Sequence, residues 1–280
     1  MSARRRPVRA GTPYLGYRAG DADTPFGSYF DPEMAPLAPH VVEALHTGPQ
    51  PMPLFTPLEK AGSLLDGDRE PVETGYALGS DGSLCVAVHT SMPEVTPSMW
   101  DWWFGWHGDD TRKYKLWHPR AHVFAQWADD PVHHGPRAYV GRTSFVDEYI
   151  GSTLTRAAIS FVPPSRLGLD EARLADPGEA TAICARVGLS NHPLDAGYLL
   201  HHVRRTPAGS EMRSRFWIGG RHASPRTRIG ALDRPLPSLI GRMAARTDRD
   251  AADLLVHCAQ EMAHLASFLP RMWEEFARED

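Results

Sequence analysis

The segment DLLVHCAQEMAHLASF (253–268) carries His257 and Glu261 four residues apart. On a helix that spacing puts both side chains on one face, one turn apart. An imidazole nitrogen and a carboxylate oxygen so placed can share a divalent cation, each reaching to about 2.0–2.2 Å of zinc. His264, three residues beyond Glu261, lies near the same face. Leu254, Leu255, Cys258, Met262 and Leu265 surround the pair. A carboxylate among so many apolar side chains is costly to bury without a partner. The competing reading is a solvated His/Glu pair with no ion.

Zinc takes about four ligands, one position being left to water in a catalytic site. Further ligands must come from other segments. His118 and His122 lie in YKLWHPRAH, and in a regular strand residues 118, 120 and 122 would share one face, although Pro119 interrupts the run. Glu148 is a carboxylate in the otherwise apolar and aromatic SFVDEYIG. Each of these also reads as a satisfied core or rim residue. His201 and His202 are adjacent in a strand and face opposite ways, so at most one lines an interior. His133–His134 sits in a turn-like, exposed DDPVHHGP. Five of the eight tryptophans fall between Trp100 and Trp117. Trp100, Trp103 and Phe104, at helical spacing, read as core or as an aromatic wall for a planar ligand, with Trp106, His107, Phe216 and Trp217 as further candidates for such a wall. No nucleophile elbow, Walker loop or dinucleotide fingerprint is present.

These residues need elements to hold them. Residues 1–75 are rich in Pro and Gly and read as a small irregular N-terminal region with helical pieces at Ala35–His46 and Pro57–Leu65. From there to residue 280 the chain reads as one domain. Strands are expected at 83–92, 114–119, 121–128, 137–151, 153–163 and 180–188, with a hairpin of 197–206 and 210–220 about Pro-Ala-Gly. A helix is expected at 96–108. Pro235–Thr247 and Asp250–Leu269 read as helices, the second capped by Asp250, and Arg271–Arg278 continues it after Pro270. Antiparallel strands ending in a long helix indicate an α+β domain, a curved sheet wrapped on that helix.

Composition sets the bounds. The chain has 280 residues, 42% hydrophobic, with formal net charge −4, so neither nucleic acid nor an anionic membrane is an expected partner. The basic start MSARRRPVRAG is followed by no apolar secretory stretch, and no run approaches the ~18 apolar residues of a membrane span. Cys85, Cys184 and Cys258 are odd in number and far apart, which indicates neither a disulfide framework nor a zinc knuckle. A cytoplasmic protein is expected.

MWDWWFGWHG, YKLWHPRAH, VDEYIG, EMRSRFWIGG and HCAQEMAHLASFLP, in that order, resemble the 2,4-diacetylphloroglucinol hydrolase family with its phloretin hydrolase relatives, over about Met99 to Pro270. The resemblance implies a zinc enzyme hydrolysing the carbon–carbon bond between an acyl group and a phloroglucinol ring, a small phenolic ketone being the substrate. It implies a Bet v 1- or START-like C-terminal domain and a homodimer. Carried over by motif, the metal ligands are His122, Glu148, His257 and Glu261, and Tyr114 holds the acyl oxygen. Members acting on diacetylphloroglucinol have an asparagine where Ala125 stands, and a second tyrosine where Arg215–Trp217 offers none, which points to an altered acyl pocket. A proton must reach the leaving ring carbon, and His107, His118 or His202 would deliver it. His264 becomes a neighbour of the site rather than a ligand.

Ligand type alone leaves Fe, Mn and Co open beside Zn. Two rivals stand against this reading. Glu261 and His264 form the Glu-x-x-His spacing of di-iron proteins, a reading that requires a second such pair joined to the same site. A non-catalytic carrier of hydrophobic polyphenols or polyketides is the other.

Overall fold

The computed structural model describes residues 13–67, 69–129, 137–226 and 247–277. The expected His133–His134 turn and residues 235–246 of the expected helix lie outside them. The fold is α+β, built on one antiparallel sheet. Its strands are β1 (Gly75–Leu78), β2 (Ser83–Pro93), β3 (His122–Trp127), β4 (Thr143–Ile150), β5 (Thr153–Val162), β6 (Ala180–Leu189), β7 (Leu194–Thr206), β8 (Gly209–Gly219) and the short β9 (Ser224–Pro225). Their order is β1-β2-β8-β7-β6-β5-β4-β3, with β9 paired to β7.

Helices α1 (Pro39–Thr47), α2 (Pro97–Trp106), α3 (Thr111–Trp117), α4 (Asp248–Ala266) and α5 (Leu269–Phe276) complete it. The residues expected as helix at 57–65 form a 3-10 run over Leu58–Asp66.

Each sheet face has its own core. One face packs Val86, Val88, Tyr76, Ile183, Leu199 and Phe216 against α2, α3, α4 and α5. The other carries small residues, among them Ala77, Cys85, Ala87, Ala182 and Cys184, which let Leu64, Leu167, Leu174 and Trp217 pack close. The three cysteines are free and buried. Among the described residues no helix is long and apolar enough to cross a membrane.

Helix α4 carries two stripes. Ala251, Leu255, Cys258, Met262 and Leu265, spaced four and three apart, are fully or almost fully buried and face the sheet, where the helix meets β1 and β2. Burying each large apolar side chain contributes about 1.5–3 kcal/mol. Leu254, His257 and Glu261 form the neighbouring stripe. The cap is Thr247 rather than Asp250: Thr247 Oγ1 accepts from the Asp250 N–H, and the Asp250 carboxylate accepts from the Thr247 N–H. Pro270 does not interrupt a helix. It lies in the first turn of α5, where its missing N–H costs nothing.

Two strand expectations are corrected. Residues 114–117 form the end of α3, not a strand, and 118–119 lead into a turn. The Asp110 side chain accepts from the Arg112 N–H and starts the helix. His118, with φ −144° and ψ 85°, ends it, because the residue before a proline avoids helical geometry. The strand expected from 137 begins only at Thr143, since 137–142 is a turn closed by Val140 N–H to Arg137 O.

The N-terminal segment is tied to α3. Lys115, fully buried, donates to the Gly16 carbonyl at 2.9 Å, and Tyr17 Oη donates to the Arg112 carbonyl at 2.8 Å. Phe26, Tyr29 and Val41 enter the same core as α4.

Candidate metal centre

After α3 the chain turns tightly: the N–H groups of Ala121 and His122 both reach the His118 carbonyl. His118 and His122 are thereby both buried, while Arg120 swings out to the Glu33 carboxylate. The one-face alternation of 118, 120 and 122 does not hold. His122 opens β3 directly opposite Glu148 on β4, and a bulge follows between His122 and Phe124. Cross-strand pairing thus sets the His122–Glu148 approach. The helical i,i+4 spacing of α4 brings His257 and Glu261 to the same point.

Side-chain atoms of His122, His257 and Glu261 all lie within 4.8 Å of one another, and the three residues are buried. His122 Nε2 is 3.5 Å from Glu261 Oε2 and 3.7 Å from Glu148 Oε2. His257 Nε2 is 3.6 Å from Glu261 Oε2 and 3.8 Å from Glu148 Oε2. Ligands around a tetrahedral zinc are separated by roughly 3.3–3.4 Å, given its bond lengths. The group is therefore slightly wider than a loaded site.

The tautomer of His122 decides whether an ion fits. Its Nδ1 lies 2.8 Å from the Tyr114 carbonyl, an acceptor, so Nδ1 carries the proton. Nε2 then presents a lone pair. It is buried and has no hydrogen-bond partner. A lone pair facing carboxyl oxygens is unsatisfied unless a proton or a cation sits between them. The donor set fits a divalent ion such as zinc.

The electrostatics agree. Desolvation pushes the Glu261 carboxyl well above its usual range, and the neighbouring Glu148 adds to it. Desolvation also raises Glu148, opposed by the hydrogen bond from Tyr114. Burial lowers His257 to about 4 and His122 well below its usual value. Without an ion the site holds neutral imidazoles and reluctant carboxyls. A dication reverses the carboxyl shifts, so loading releases protons.

Tyr114 packs its ring on His122, centroids 3.7 Å apart and nearly parallel, and its hydroxyl donates to Glu148 Oε2. His118 stacks on His257 at 4.9 Å, its Nδ1 buried and without a partner. His257, Glu261, Glu148 and Tyr114 open onto a cavity of about 90 Å³, walled also by Phe104, His107, Trp117, Ser144, Phe161, His201 and Phe216.

Several expected wall residues stand elsewhere. Trp103 is buried core, stacked on His107, and Trp106 stacks on Trp102; neither lines the cavity. The aromatic wall is made by Phe104 and Trp117 instead. Ala125 is held on β3 by Thr111 and does not line it. Trp217 lies on the opposite sheet face, its Nε1 donating to the Thr56 carbonyl. His264 is buried one turn beyond the cavity, against Phe268.

The adjacent histidines are the clearest correction. Both are buried, but His201 lines the cavity and His202 faces the other way, among Arg204, Arg213 and Arg215. Strand alternation requires one inward member, and it is His201 rather than the expected His202. Neighbours on β7 carried the signal: Leu199 and Val203 share the face of His201. His201 Nδ1 is 2.8 Å from Ser214 Oγ.

A larger cavity of about 580 Å³, lined among others by His40, His89, Arg204, Glu211 and Arg213, shares no residue with the metal group. Its Arg204 and Arg213 are paired with Glu211 and Glu73.

Residues 54–274 match the family described as the DAPG hydrolase PhiG domain. The chain belongs to that family. A 2,4-diacetylphloroglucinol hydrolase of Pseudomonas sp is 30% identical over 273 residues, covering 94% of this chain and 92% of the relative. A phloretin hydrolase of Eubacterium ramulus is 28% identical over 257 residues, covering 88% of each. The crystal structure of Ara h 8.0201 aligns with 62% of this chain and 99% of its own, at TM-score 0.30 and 10% identity. The family is one of hydrolases.

Buried histidines also set the acid limit of the fold. Burial lowers His107, His202 and His257 to about 4 and His118 and His201 to about 3. Between those values and the unfolded value near 6.5 the unfolded chain binds more protons, so stability rises with pH there and is lost on acidification. The raised carboxyls of Glu148 and Glu261 act in the opposite sense and offset part of this. Thermal melts of chelated protein should fall steadily from pH 7 to pH 4.5. A flat profile would contradict five neutral buried imidazoles.

Proposed function

We propose that the chain is a zinc-dependent hydrolase that cleaves the carbon–carbon bond between an acyl group and a phloroglucinol-type ring. The observation that carries this is the unpartnered His122 Nε2 facing two buried carboxyls at the wall of an aromatic cavity. Membership of a hydrolase family, with relatives named for diacetylphloroglucinol and phloretin, supports the substrate class.

His122, His257, Glu261 and Glu148 would hold the ion. When bound, zinc supplies Lewis acidity to a carbonyl oxygen and to water. The other roles fall to the chain. Tyr114 Oη, which donates to Glu148 in the ligand-free site, would turn that donation to the acyl oxygen as it gains charge. Water adds to the acyl carbon, the bond to the ring breaks, and the ring carbon takes a proton. Phenols flanking that carbon make it a tolerable leaving group through the keto tautomer. His201 is the group we assign to carry the proton from water to the ring carbon, with Ser214 orienting its imidazole. His107, whose Nδ1–H is committed to the Trp103 carbonyl, presents its other nitrogen as an acceptor for a ring hydroxyl. Phe104, Trp117, Phe161 and Phe216 exclude water from the ring.

The helix-and-sheet arrangement supports a Bet v 1/START-like catalytic region of residues 76–280, with 1–75 as a small N-terminal region packed on it. The family resemblance supports a homodimer, and the three free cysteines fit a cytoplasmic setting. A non-catalytic carrier would leave the buried carboxyls without a purpose.

The direct test incubates zinc-loaded protein with acetyl- and octanoylphloroglucinol in turn and follows the carboxylic acid and phloroglucinol, which should appear in equal amounts from at least one of them. No released acid would overturn the reading. The two histidines separate sharply: His201→Asn should cut kcat about a hundredfold or more with metal retained. His202→Asn should change stability and leave kcat near wild type. Equal effects would remove His201 from the mechanism.

A further inference from the structure

The cavity beside the candidate metal centre adjoins a second chamber of about 140 Å³. The two share Glu148, Ile150, Ile159, Leu199, Phe216 and Leu254. Their remaining walls differ in chemistry. The inner chamber adds His107, Tyr114, Ser144 and His201, together with His257 and Glu261. The outer one adds Leu84, Ala157, Val187, Leu189, Ala196 and Ile218. Its polar residues are Thr153, Thr155 and Asp250, near the β4–β5 turn and the start of α4.

Glu148 lines both chambers, so the reacting acyl carbon belongs at their junction. The two substituents of that carbon must then lie on opposite sides. A polyhydroxylated ring needs polar partners; the inner chamber supplies His107, Tyr114, Ser144 and His201, whereas the polar residues particular to the outer one come only from the β4–β5 turn end and the start of α4. Ser144 Oγ is decisive there: Ser144 is 2% exposed, lines the inner chamber, and its hydroxyl has no hydrogen-bond partner. A buried hydroxyl left unpaired is an expected contact for a ligand group. The acyl chain is left with the apolar chamber, whose burial of methylene groups is favourable. An acetyl group has one methyl to offer it and leaves it unfilled.

We infer that the outer chamber is an acyl-arm site, that the substrate is a phenol bearing a medium-length, apolar acyl chain, and that Ser144 binds a ring hydroxyl. This rests on the reading of the chain as an acylphenol hydrolase. Phe216 forms part of the neck, where a tyrosine hydroxyl would add polarity to the path of the arm.

Two measurements test it. The first compares kcat/KM of the zinc-loaded enzyme for octanoylphloroglucinol and acetylphloroglucinol. Wild type should favour octanoyl by at least about a hundredfold, six buried methylenes being ample for that ratio. Ala196→Phe and Val187→Phe fill the chamber from two strands and should bring the ratio near one. The second needs no chemistry: binding of 4-octylresorcinol and 4-ethylresorcinol to metal-free protein by tryptophan fluorescence. Octyl should bind at least about tenfold tighter in wild type and not in Ala196→Phe. Ser144→Ala should weaken both resorcinols about equally. A wild-type preference for acetyl, or ratios unmoved in both chamber variants, overturns the arm site; unchanged resorcinol binding in Ser144→Ala removes the hydroxyl contact. Tight, chamber-dependent octylresorcinol binding without cleavage of either ketone leaves the arm site standing and refutes the hydrolase reading.

Discussion

Glu261→Ala and His257→Ala should each empty the site of metal and lower acylphloroglucinol cleavage by about a thousandfold or more. Several kcal/mol of transition-state stabilisation come from a Lewis-acidic ion, and each 1.36 kcal/mol is a factor of ten. The geometry leaves no substitute ligand on α4, since the next turn offers Leu265 and His264, and His264 lies beyond the cavity. The fold should survive. Removing the Glu261 carboxyl relieves a buried group that sits beside Glu148, so chelated Glu261→Ala should melt no lower than chelated wild type. Metal content by mass spectrometry, rates and melts read the three effects separately. Full activity in metal-free His257→Ala would end the metal account.

Tyr114→Phe should keep the metal and lose most of the rate. Its ring stacks on His122 and its carbonyl fixes the His122 tautomer, and both features persist in phenylalanine. Only the hydroxyl goes. Loss of one donor to a developing oxyanion costs about a hundred- to a thousandfold in kcat. The same hydroxyl donates to Glu148, and burial with that carboxylate holds it well above the usual phenol range, so it stays protonated across the working pH. A fall in kcat with KM little changed is therefore expected. A variant that instead lost zinc would mean that the hydroxyl serves to orient Glu148 and not the substrate.

The helical pair was legible in sequence because an i,i+4 spacing is a local property and α4 is strongly periodic. His122 and Glu148 needed the strand register, which a bulge between His122 and Phe124 adjusts and no short-range pattern announces. Alternation in YKLWHP imitates a strand and conceals the short helix before His122. Asp110 at one end and Pro119 at the other enclose one short helix, and that helix aims Tyr114 and Trp117 into the cavity. His201 over His202 is a parity question: a strand turns its faces over with a shift of one residue, and only a neighbour of known face resolves it. The tryptophan-rich stretch divided in the same way. Trp117 reaches the cavity while Trp103 packs behind it and Trp106 packs on Trp102 and Phe276, a distinction set by tertiary packing and absent from composition.

The central claim is that the His122, His257 and Glu261 group, with Glu148, holds one divalent ion on which cleavage depends. Zinc titration of chelated protein, with metal stoichiometry and acylphloroglucinol cleavage read on the same samples, tests it most directly. The account predicts saturation at one zinc per chain, with activity rising in proportion from near zero. Undiminished cleavage by metal-free protein, or saturation near two irons with none for zinc, would contradict it.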